Sequence, residues 1–423
     1  MGINLSKYKG IIAGSKYIFL LNITDKVFSF IVMLLFARNF PTEVYGQIVT
    51  LITLSIVLIS IFDLGLPVYL QREIAVNKVI ASEILSRVFL SGSILIVLYF
   101  AVGLAVLILF FPGIPFVLFA VISLMMYTSF IVTLSNKALS GISQYKIQFI
   151  SFLIPRLFIL AGFLAVYLFY KFEVNLLLLI MSAGILTNLV ILLVYLNKNN
   201  AVISFRHFSL TALRKILAIS LPLGIAVVFN LLYDKIDLLL ISIIRGYDDA
   251  AFYSVAYGLF KSSTIAFSFL LVSGFTRAAE LQREPIAINT FLKEHTLLIS
   301  IICIICTAVL FFFADLIIST FYTGKFENSA VILQILSVGI IAMGLNNLTG
   351  IILNGMGYFR IVMYITLYAL VMNVVLNAVM IPKYGITASA VLTVVTEYFI
   401  FAVEWYYLKR ILIKLQSKTA QTA

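Results

Sequence analysis

The chain has 423 residues, of which 63% are hydrophobic and only 11% are charged, and its mean hydropathy is +1.15. Soluble domains average about 45–50% apolar and about 25% charged residues. A water-soluble enzyme is therefore excluded, because a globule could not bury so much apolar surface. The composition instead predicts a membrane protein made of helices, since a helix satisfies its own backbone hydrogen bonds in lipid.

Apolar runs long enough to cross a bilayer, which takes about 20 residues, recur along the whole chain. We predict spans near 14–37, 46–66, 84–111, 115–139, 147–170, 174–196, 216–244, 250–274, 291–313, 328–352, 361–381 and 386–408. The expected fold class is an all-α polytopic membrane protein, with twelve transmembrane helices in two pseudo-symmetric six-helix bundles around a central cavity. Residues 1–200 would form the first bundle and residues 201–423 the second.

Positive charges predict which ends of the spans face the cytoplasm. Twenty Lys and Arg residues lie at the N-terminus, in the connections after even-numbered spans and at the C-terminus, whereas the other connections hold five. Cytoplasmic segments carry the excess of Lys and Arg, so we expect both termini in the cytoplasm. Topology thus accounts for most of the net charge of +12, and no nucleic-acid partner is expected.

Two cysteines, Cys303 and Cys306, form a C-x-x-C sequence inside an unbroken apolar run. A metal or redox site would need further ligands, and the chain has only two histidines, His207 and His295. We therefore interpret the cysteines as packing or lipid-facing residues, and we expect no metal site and no cofactor.

The two halves of the chain resemble each other at an offset of about 207–214 residues. Polar residues of the first span in each half correspond: Asn22, Asp25, Lys26 and Arg38 match Asn230, Asp234, Lys235 and Arg245. A second match relates residues 139–146 to residues 353–360. Shared apolar composition does not explain matches between polar residues. A repeat of six helices keeps its orientation, so the two bundles are expected to be related by an axis along the membrane normal.

Eight charged residues lie deep within predicted spans. At 1.5 Å per helical residue, each cation lies about 15–18 Å from the nearest interfacial residue, in a hydrocarbon core about 30 Å thick. The cations are Lys26, Arg156, Lys235 and Lys261, and the acids are Asp25, Asp234, Asp237 and Glu397. Because each costs about 2.5–3.5 kcal/mol to insert, we expect them to face a hydrated cavity or one another.

Two interpretations of these charges remain open. They form ion pairs that fix the register of the helices, or they line a transport cavity. Neighbours such as Asp234 and Lys235 lie about 100° apart on a helix, so neither Asp-Lys pair is expected to close on itself with ideal geometry. An anionic substrate would have to loosen the pairs or bring protons with it, which would couple transport to ions.

Several segments resemble those of the polysaccharide-biosynthesis transporters. They are residues 38–46 (RNFPTEVYG), 62–66 (FDLGL), 249–257 (DAAFYSVAY) and 381–386 (IPKYGI). These transporters belong to the multidrug/oligosaccharidyl-lipid/polysaccharide exporter superfamily. Within it, the chain resembles the O-antigen (Wzx-type) flippases.

The resemblance implies a flippase that moves undecaprenyl-diphosphate-linked oligosaccharide repeat units, as in lipopolysaccharide biosynthesis, across a bacterial inner membrane by alternating access with ion coupling. Membrane lipids, a polysaccharide polymerase and a chain-length regulator are the implied partners. By position, the candidates for binding the diphosphate are Lys26, Arg156, Lys235 and Lys261. The candidates for coupling or gating are Asp25, Asp234, Asp237 and Glu397.

The sugars of such a substrate need amide and hydroxyl partners. The candidates are Asn346, Asn347, Asn373 and Asn377, with Ser262, Ser263 and Thr264. For any one of them, a hydrogen bond between helices, worth about 0.6 kcal/mol, is the alternative role.

Three other functions are compatible with part of this pattern. A cation-coupled multidrug antiporter of the same superfamily would use Asp25 in the first span, although four buried cations would repel cationic drugs. A major-facilitator transporter also has twelve spans, but residues 63–72 lack the Gly- and Arg-rich loop expected there. A membrane glycosyltransferase or polymerase would need a large external loop, and the predicted outer connections are short.

Overall fold

In the computed structural model, which describes residues 5–77, 81–199, 210–280 and 285–422, the described residues are mostly helical and contain no β-strand. The helices are α1 (Leu5–Asn39), α2 (Thr42–Asp63), α3 (Leu66–Val76), α4 (Ala81–Phe110), α5 (Phe116–Gly141), α6 (Tyr145–Phe169), α7 (Val174–Lys198), α8 (Leu210–Ile244), α9 (Tyr247–Ser262), α10 (Ile265–Glu280), α11 (Pro285–Phe312), α12 (Ala314–Tyr322), α13 (Asn328–Gly355) and α14 (Phe359–Thr422). A short 3₁₀ turn, Gly324–Phe326, precedes α13.

The predicted spans match the helices to within about six residues, except that α1 begins at Leu5 and α14 ends at Thr422, well outside the predicted limits of 14 and 408. Among the described residues, nine helices are long and apolar enough to cross a membrane. The three other predicted spans correspond to α8, to α9 with α10, and to the second half of α14. Gly385, with φ 64° and ψ −155°, separates that half from the first. The predicted all-α membrane-spanning fold is confirmed.

Two short helices lie in connections between predicted spans. Helix α3 has only 11 residues and α12 has nine, which is too short to span a bilayer. In α3, Leu66, Leu70 and Ile74 are buried at a spacing of four residues. A single apolar stripe of this kind is typical of a helix that lies on a protein core, and a search for long apolar runs misses it.

The predicted span at 250–274 is wrong in one respect, because it is interrupted between α9 and α10. The hydroxyls of Ser262, Ser263 and Thr264 donate to backbone carbonyls of the preceding turn at 2.7–2.8 Å. Such bonds compete with the helical backbone bonds. Helix α9 therefore ends beside Lys261, whose positive charge is favourable at a helix C-terminus.

The helices group into two compact units. The first unit comprises Met1–Phe40 and Leu51–Leu231, and the second comprises Pro41–Thr50 and Leu232–Ala423. The predicted boundary between residues 200 and 201 lies outside the described residues and stays a prediction, and His207 also lies outside them.

In the first unit, the buried side chains of α3 pack against three longer helices. Their neighbours in the same hydrophobic core include Leu85 and Val88 of α4, Leu134 and Leu139 of α5, and Leu192 of α7. This packing fixes the positions of α3, α5 and α7, each of which contributes side chains to the cavity described below.

In the second unit, the start of α2 packs against α9. The ring of Tyr45 meets Phe326 edge to face, with centroids 5.7 Å apart. At Gly46, an added Cβ would collide with the backbone carbonyl of Tyr247. Glycine is required at this position because the two backbones approach each other so closely.

Candidate functional site

A polar cavity of about 530 Å³ lies inside the first unit. The charged and amide side chains on its wall are Asp25 of α1, Gln71 of α3, Asn136 and Lys137 of α5, Gln148 and Arg156 of α6, and Asn188 of α7. Five helices thus contribute polar groups to one chamber, and two of our predicted site residues, Asp25 and Arg156, lie on its wall.

Arg156 is held in place by Asn188, which also bonds the carbonyl that Pro155 leaves free. Pro155 has no N–H, so the helix cannot bond the carbonyl of Ser151. With its amide oriented to satisfy both neighbours, Asn188 donates to that carbonyl at 3.1 Å and accepts from Nη1 of Arg156 at 2.8 Å. The guanidinium carbon also lies 3.7 Å from the ring centroid of Phe152. Stacking of this kind orients a guanidinium group, so the cavity presents a fixed cation.

Two polar atoms of the wall residues remain unsatisfied. Within the described residues, Nε of Arg156 and Oδ1 of Asn136 are buried and have no hydrogen-bond partner. A buried polar atom without a partner costs about 1–3 kcal/mol. A polar ligand or water that reached these atoms would therefore be stabilised there.

The acid of the first span lies close to this cation. The carboxylate of Asp25 interacts electrostatically with Arg156 and with its neighbour Lys26. Lys26 itself is not among the wall residues of the cavity. Of the two cations predicted in the first half of the chain, the structure therefore places one, Arg156, in the chamber.

In the second unit, two of the predicted cations share one carboxylate. Nζ of Lys261 lies 2.7 Å from Oδ1 of Asp234, and Nζ of Lys235 lies 2.9 Å from Oδ2. The hydroxyl of Tyr257 donates to Oδ1 at 2.7 Å. Asp234 and Lys235 pair although they are sequence neighbours, because the flexible four-carbon stem of lysine reaches back across the angle between them.

Glu397 completes this cluster from α14. Its Oε1 lies 4.0 Å from Nζ of Lys261, and its other oxygen accepts a hydrogen bond from the amide of Asn346. Its side chain is buried, as is that of Asp237. We refer to Asp234, Lys235, Lys261 and Glu397 as the second-unit ion cluster.

Asp237 lies one helical turn beyond Asp234 and has only neutral hydrogen-bond donors around it. Tyr253 donates to Oδ2 at 3.0 Å, Thr393 donates to the same oxygen at 2.7 Å, and Asn377 donates to Oδ1 at 3.1 Å. Asn377 also donates to Oδ1 of Asn373 at 3.0 Å. Helices α8, α9 and α14 are therefore joined at one buried carboxylate.

The four asparagines predicted to meet sugars do not lie at a common surface. Asn346 bonds to Glu397, whereas Asn373 and Asn377 are buried beside Asp237. Asn347 donates to the carbonyl of Met343 in its own helix at 2.6 Å. The sugar-binding role stays a prediction, and in this structure all four amides have protein partners.

Sequence reasoning missed several residues of the two sites. Lys137 lies near the end of its predicted span, where a lysine indicates only the cytoplasmic side, and the segment 249–257 does not indicate a role for Tyr253 or Tyr257. Glu404, buried on α14, accepts a hydrogen bond from Thr349 at 2.5 Å. One signal was available for the tyrosines: they are four residues apart, as neighbours on one helix face must be.

The cysteines have no polar role in the described structure. Cys303 is buried, Cys306 is half-buried, and both are free thiols. Cys303 packs at Gly344 of α13, where an added Cβ would meet its sulfur. No group of three or more His, Cys, Asp and Glu side chains that could hold a metal occurs in the described part of the chain.

The two sites differ in their balance of charge. The cavity of the first unit has two cations, Lys137 and Arg156, and one acid. The ion cluster of the second unit has two cations and two acids, with Asp237 as a further acid nearby. An anion is therefore favoured in the cavity, whereas the cluster is already neutralised internally.

Comparison with known families identifies the class of protein. The sequence profile of the family described as "Polysaccharide biosynthesis protein" matches residues 11–275, and that of MatE matches residues 222–379. The first match covers more than half of the chain, and the protein therefore belongs to the Polysaccharide biosynthesis protein family.

Solved structures confirm the fold. A multidrug resistance MATE family transporter of the MOP superfamily, in an inward-facing conformation, superposes with a TM-score of 0.73 at 15% identity, over 94% of this chain and 95% of the other. The lipid II flippase MurJ, in an inward closed conformation, gives a TM-score of 0.71 at 14% identity, over 96% and 90%. At these identities the likeness shows the fold: the chain is a multi-pass membrane protein with the helical architecture of these proteins.

Two sequence relatives are uncharacterized membrane proteins of Methanocaldococcus jannaschii. One is 27% identical over 219 residues, which is 51% of this chain and 49% of the relative. The other is 30% identical over 120 residues, which is 28% of this chain and 24% of the relative. The aligned parts span about half and about a quarter of these relatives.

Proposed function

We propose that the protein is a flippase for lipid-linked oligosaccharides. Its substrate is an undecaprenyl-diphosphate-linked repeat unit of O-antigen or a similar surface polysaccharide, which it moves from the cytoplasmic to the periplasmic leaflet of a bacterial inner membrane. Both termini are in the cytoplasm, and a polymerase and a chain-length regulator act on the product. The observation that carries this proposal is the family match over residues 11–275, which includes every wall residue of the cavity.

The chemistry of the cavity fits such a substrate. A diphosphate cannot cross hydrocarbon without compensation of its charge, and a guanidinium group binds phosphate oxygens through paired hydrogen bonds. Arg156 supplies that group, and Lys26 adds positive charge on α1 next to Asp25. The amides of the wall provide donors and acceptors for sugar hydroxyls, while the lipid tail remains in the bilayer.

The ion cluster of the second unit supplies the coupling. Lys235 and Lys261 are bound to Asp234, so a headgroup that reaches these lysines must compete with that carboxylate. A diphosphate that binds both lysines would replace Asp234 as their partner, and departure of the substrate would let the ion pairs form again. In this scheme Glu397 and Asp237 hold the cluster in place, and Asp25 plays the corresponding part beside Arg156.

Variants of the two cations test the proposal in the native host. Arg156→Ala and Lys235→Ala should each abolish surface polysaccharide while the protein level in the membrane stays unchanged. Lys171→Ala, which removes an exposed lysine of the first unit, is the control and should have no effect. Normal polysaccharide in both site variants would contradict the diphosphate role.

A cation-coupled multidrug antiporter is the second candidate. The MatE profile matches residues 222–379, and Asp25 lies on the cavity wall, where a carboxylate could meet a cationic drug. Cells that express the protein and gain resistance to a cationic dye, with loss of that resistance in Asp25→Asn, would favour this function.

A further inference from the structure

The cavity of the first unit contains a second cation that the proposed function has not used. Nζ of Lys137 on α5 donates to Oε1 of Gln71 on α3 at 3.2 Å. It forms no ion pair with a carboxylate of the described residues, unlike Lys235 and Lys261. Its charge is therefore available to a ligand in the chamber.

The neighbours of Lys137 form a polar stripe on α5. Ser129, Thr133, Asn136, Lys137 and Ser140 all line the cavity, and their spacing of three or four residues places them on one face of the helix. Such a face would be costly against lipid. The polar face of α5 is accounted for if it lines the path of a polar ligand through the cavity.

Helix α6 presents a second row of polar groups to the cavity. Tyr145, Gln148 and Arg156 line the cavity at helical spacing. Gln148 donates to the hydroxyl of Ser140 at 2.8 Å, which joins the two rows near their cytoplasmic ends. Arg156 lies 11 residues after Tyr145 on the helix, which is about 16 Å at 1.5 Å per residue. The chamber therefore extends from the predicted cytoplasmic interface toward the middle of the membrane.

Resting on the proposed function, we propose that Lys137 and Arg156 together hold the diphosphate of the substrate inside the first unit, and that Asn136 binds the sugar attached to it. Two phosphates carry more negative charge than one cation neutralises. Arginine contributes a planar fork and lysine contributes a compact charge. The cavity volume of about 530 Å³ lies in the usual range for small-molecule sites, about 300–1,000 Å³.

The test measures binding to the full-length protein in lipid nanodiscs. The probes are farnesyl-diphosphate-linked N-acetylglucosamine, farnesyl diphosphate, inorganic pyrophosphate and farnesol. Lys137→Gln keeps the length and polarity of the side chain but removes its charge, and should weaken binding of both farnesyl diphosphates about tenfold, as expected for loss of one charge-assisted contact. Lys137→Arg should bind within about threefold of the wild type, and Lys171→Gln, the matched control, should be unchanged.

A second variant tests the sugar contact. The side-chain oxygen of Asn136 has no protein partner, so Asn136→Leu breaks no known bond of that oxygen. It should weaken binding of the sugar-bearing probe about fivefold, near the loss of one neutral hydrogen bond of about 1 kcal/mol, and leave farnesyl diphosphate unchanged. If Lys137→Gln lowers the melting temperature, weaker binding by that variant does not distinguish a lost contact from a loss of folding. Asn136→Leu then provides the test of the site.

Several outcomes would overturn the proposal. Equal affinity of wild type and Lys137→Gln for farnesyl diphosphate would show that Lys137 does not bind the diphosphate. This conclusion would hold even if the protein transports lipid-linked oligosaccharide normally. Inorganic pyrophosphate bound as tightly as the farnesyl compounds would indicate a site for free diphosphate instead of a lipid headgroup. Failure of the wild type both to bind any diphosphate and to transport the lipid-linked substrate would refute the proposed function as well.

Discussion

The amide oxygen of Asn188 accepts a hydrogen bond from Nη1 of Arg156 at 2.8 Å, and the amide nitrogen donates to the carbonyl that Pro155 leaves free. One residue of α7 thus compensates for the proline of α6 and orients the adjacent cation. The position of Arg156 therefore depends on Asn188 as much as on α6.

Replacement of Asn188 should consequently affect Arg156 without touching its charge. Asn188→Leu removes one hydrogen bond from the carbonyl of Ser151 and one from the guanidinium group of Arg156. We expect it to lower the free energy of unfolding by about 1–3 kcal/mol and to reduce transport strongly. Thermal unfolding and surface polysaccharide measure the two effects. Thr187→Val, at an exposed neighbour on the same helix, should change neither. Full transport by Asn188→Leu would show that Arg156 does not need this contact.

Asp234 should be more important for stability than an isolated acid, because two lysines depend on it. In Asp234→Asn, Lys235 loses its carboxylate and Lys261 keeps only Glu397, at 4.0 Å. Breaking a fully buried pair costs about 3–5 kcal/mol, and since these side chains are partly exposed we expect about 1–3 kcal/mol, measured as a fall in the melting temperature.

Two further variants separate charge pairing from other effects of that change. Asp234→Asn combined with Lys261→Gln removes one of the stranded charges and should recover part of the lost stability. Glu294→Gln, at an exposed acid of α11, should leave the melting temperature unchanged. If the double variant is less stable than Asp234→Asn, the ion pair is not the cause of the loss.

The buried carboxylate of Asp237 provides a prediction that involves hydrogen bonds alone. Tyr253→Phe removes one of its three donors and keeps the ring, so we expect a loss of about 1–3 kcal/mol in the free energy of unfolding. Tyr384→Phe, at a residue that is 62% exposed, is the control and should have no measurable effect. A chemical unfolding series in detergent compares the two, and equal stabilities would exclude Tyr253 as a significant donor.

The close approach at Gly46 allows a test of the packing in the second unit. Gly46→Ala would place a methyl group against the backbone of Tyr247, which cannot move as a side chain can. We expect a lower yield of folded protein and a lower melting temperature, with a cost of about 1–3 kcal/mol, as for overpacked cores. Gly258→Ala, where nothing lies within 4 Å, should be neutral or slightly stabilising, because alanine favours helix. The same result for both alanines would contradict this packing.

Much of the fold could be predicted because the signals were long. Spans of 20 or more apolar residues, the asymmetry of Lys and Arg, and the repeat of polar residues are properties of the whole chain. Helix α3 and the break after Lys261 could not be predicted in this way. The first depends on three buried residues in a short helix, and the second depends on hydroxyl groups that bond backwards to the chain.

The candidate sites were predictable in part. Burial in a span indicated Arg156, Asp234 and Lys261, because a charge in hydrocarbon requires a compensating partner. Their partners depend on which helices are adjacent, and one sequence does not contain that information. Lys137 was missed because it lies near the end of its span, where a lysine is ordinary, whereas the cavity beside it is visible only when α3, α5 and α6 are assembled.

Transport of a polyprenyl-diphosphate-linked oligosaccharide by the full-length protein in proteoliposomes is the direct test of flippase function. The labelled substrate is placed in one leaflet, and its sugar is detected in the other by an impermeant lectin. We predict transfer that is lost in Arg156→Ala, retained in Lys171→Ala and dependent on an imposed ion gradient. Efflux of a cationic dye by the same preparation, with no movement of the lipid-linked sugar, would contradict the account.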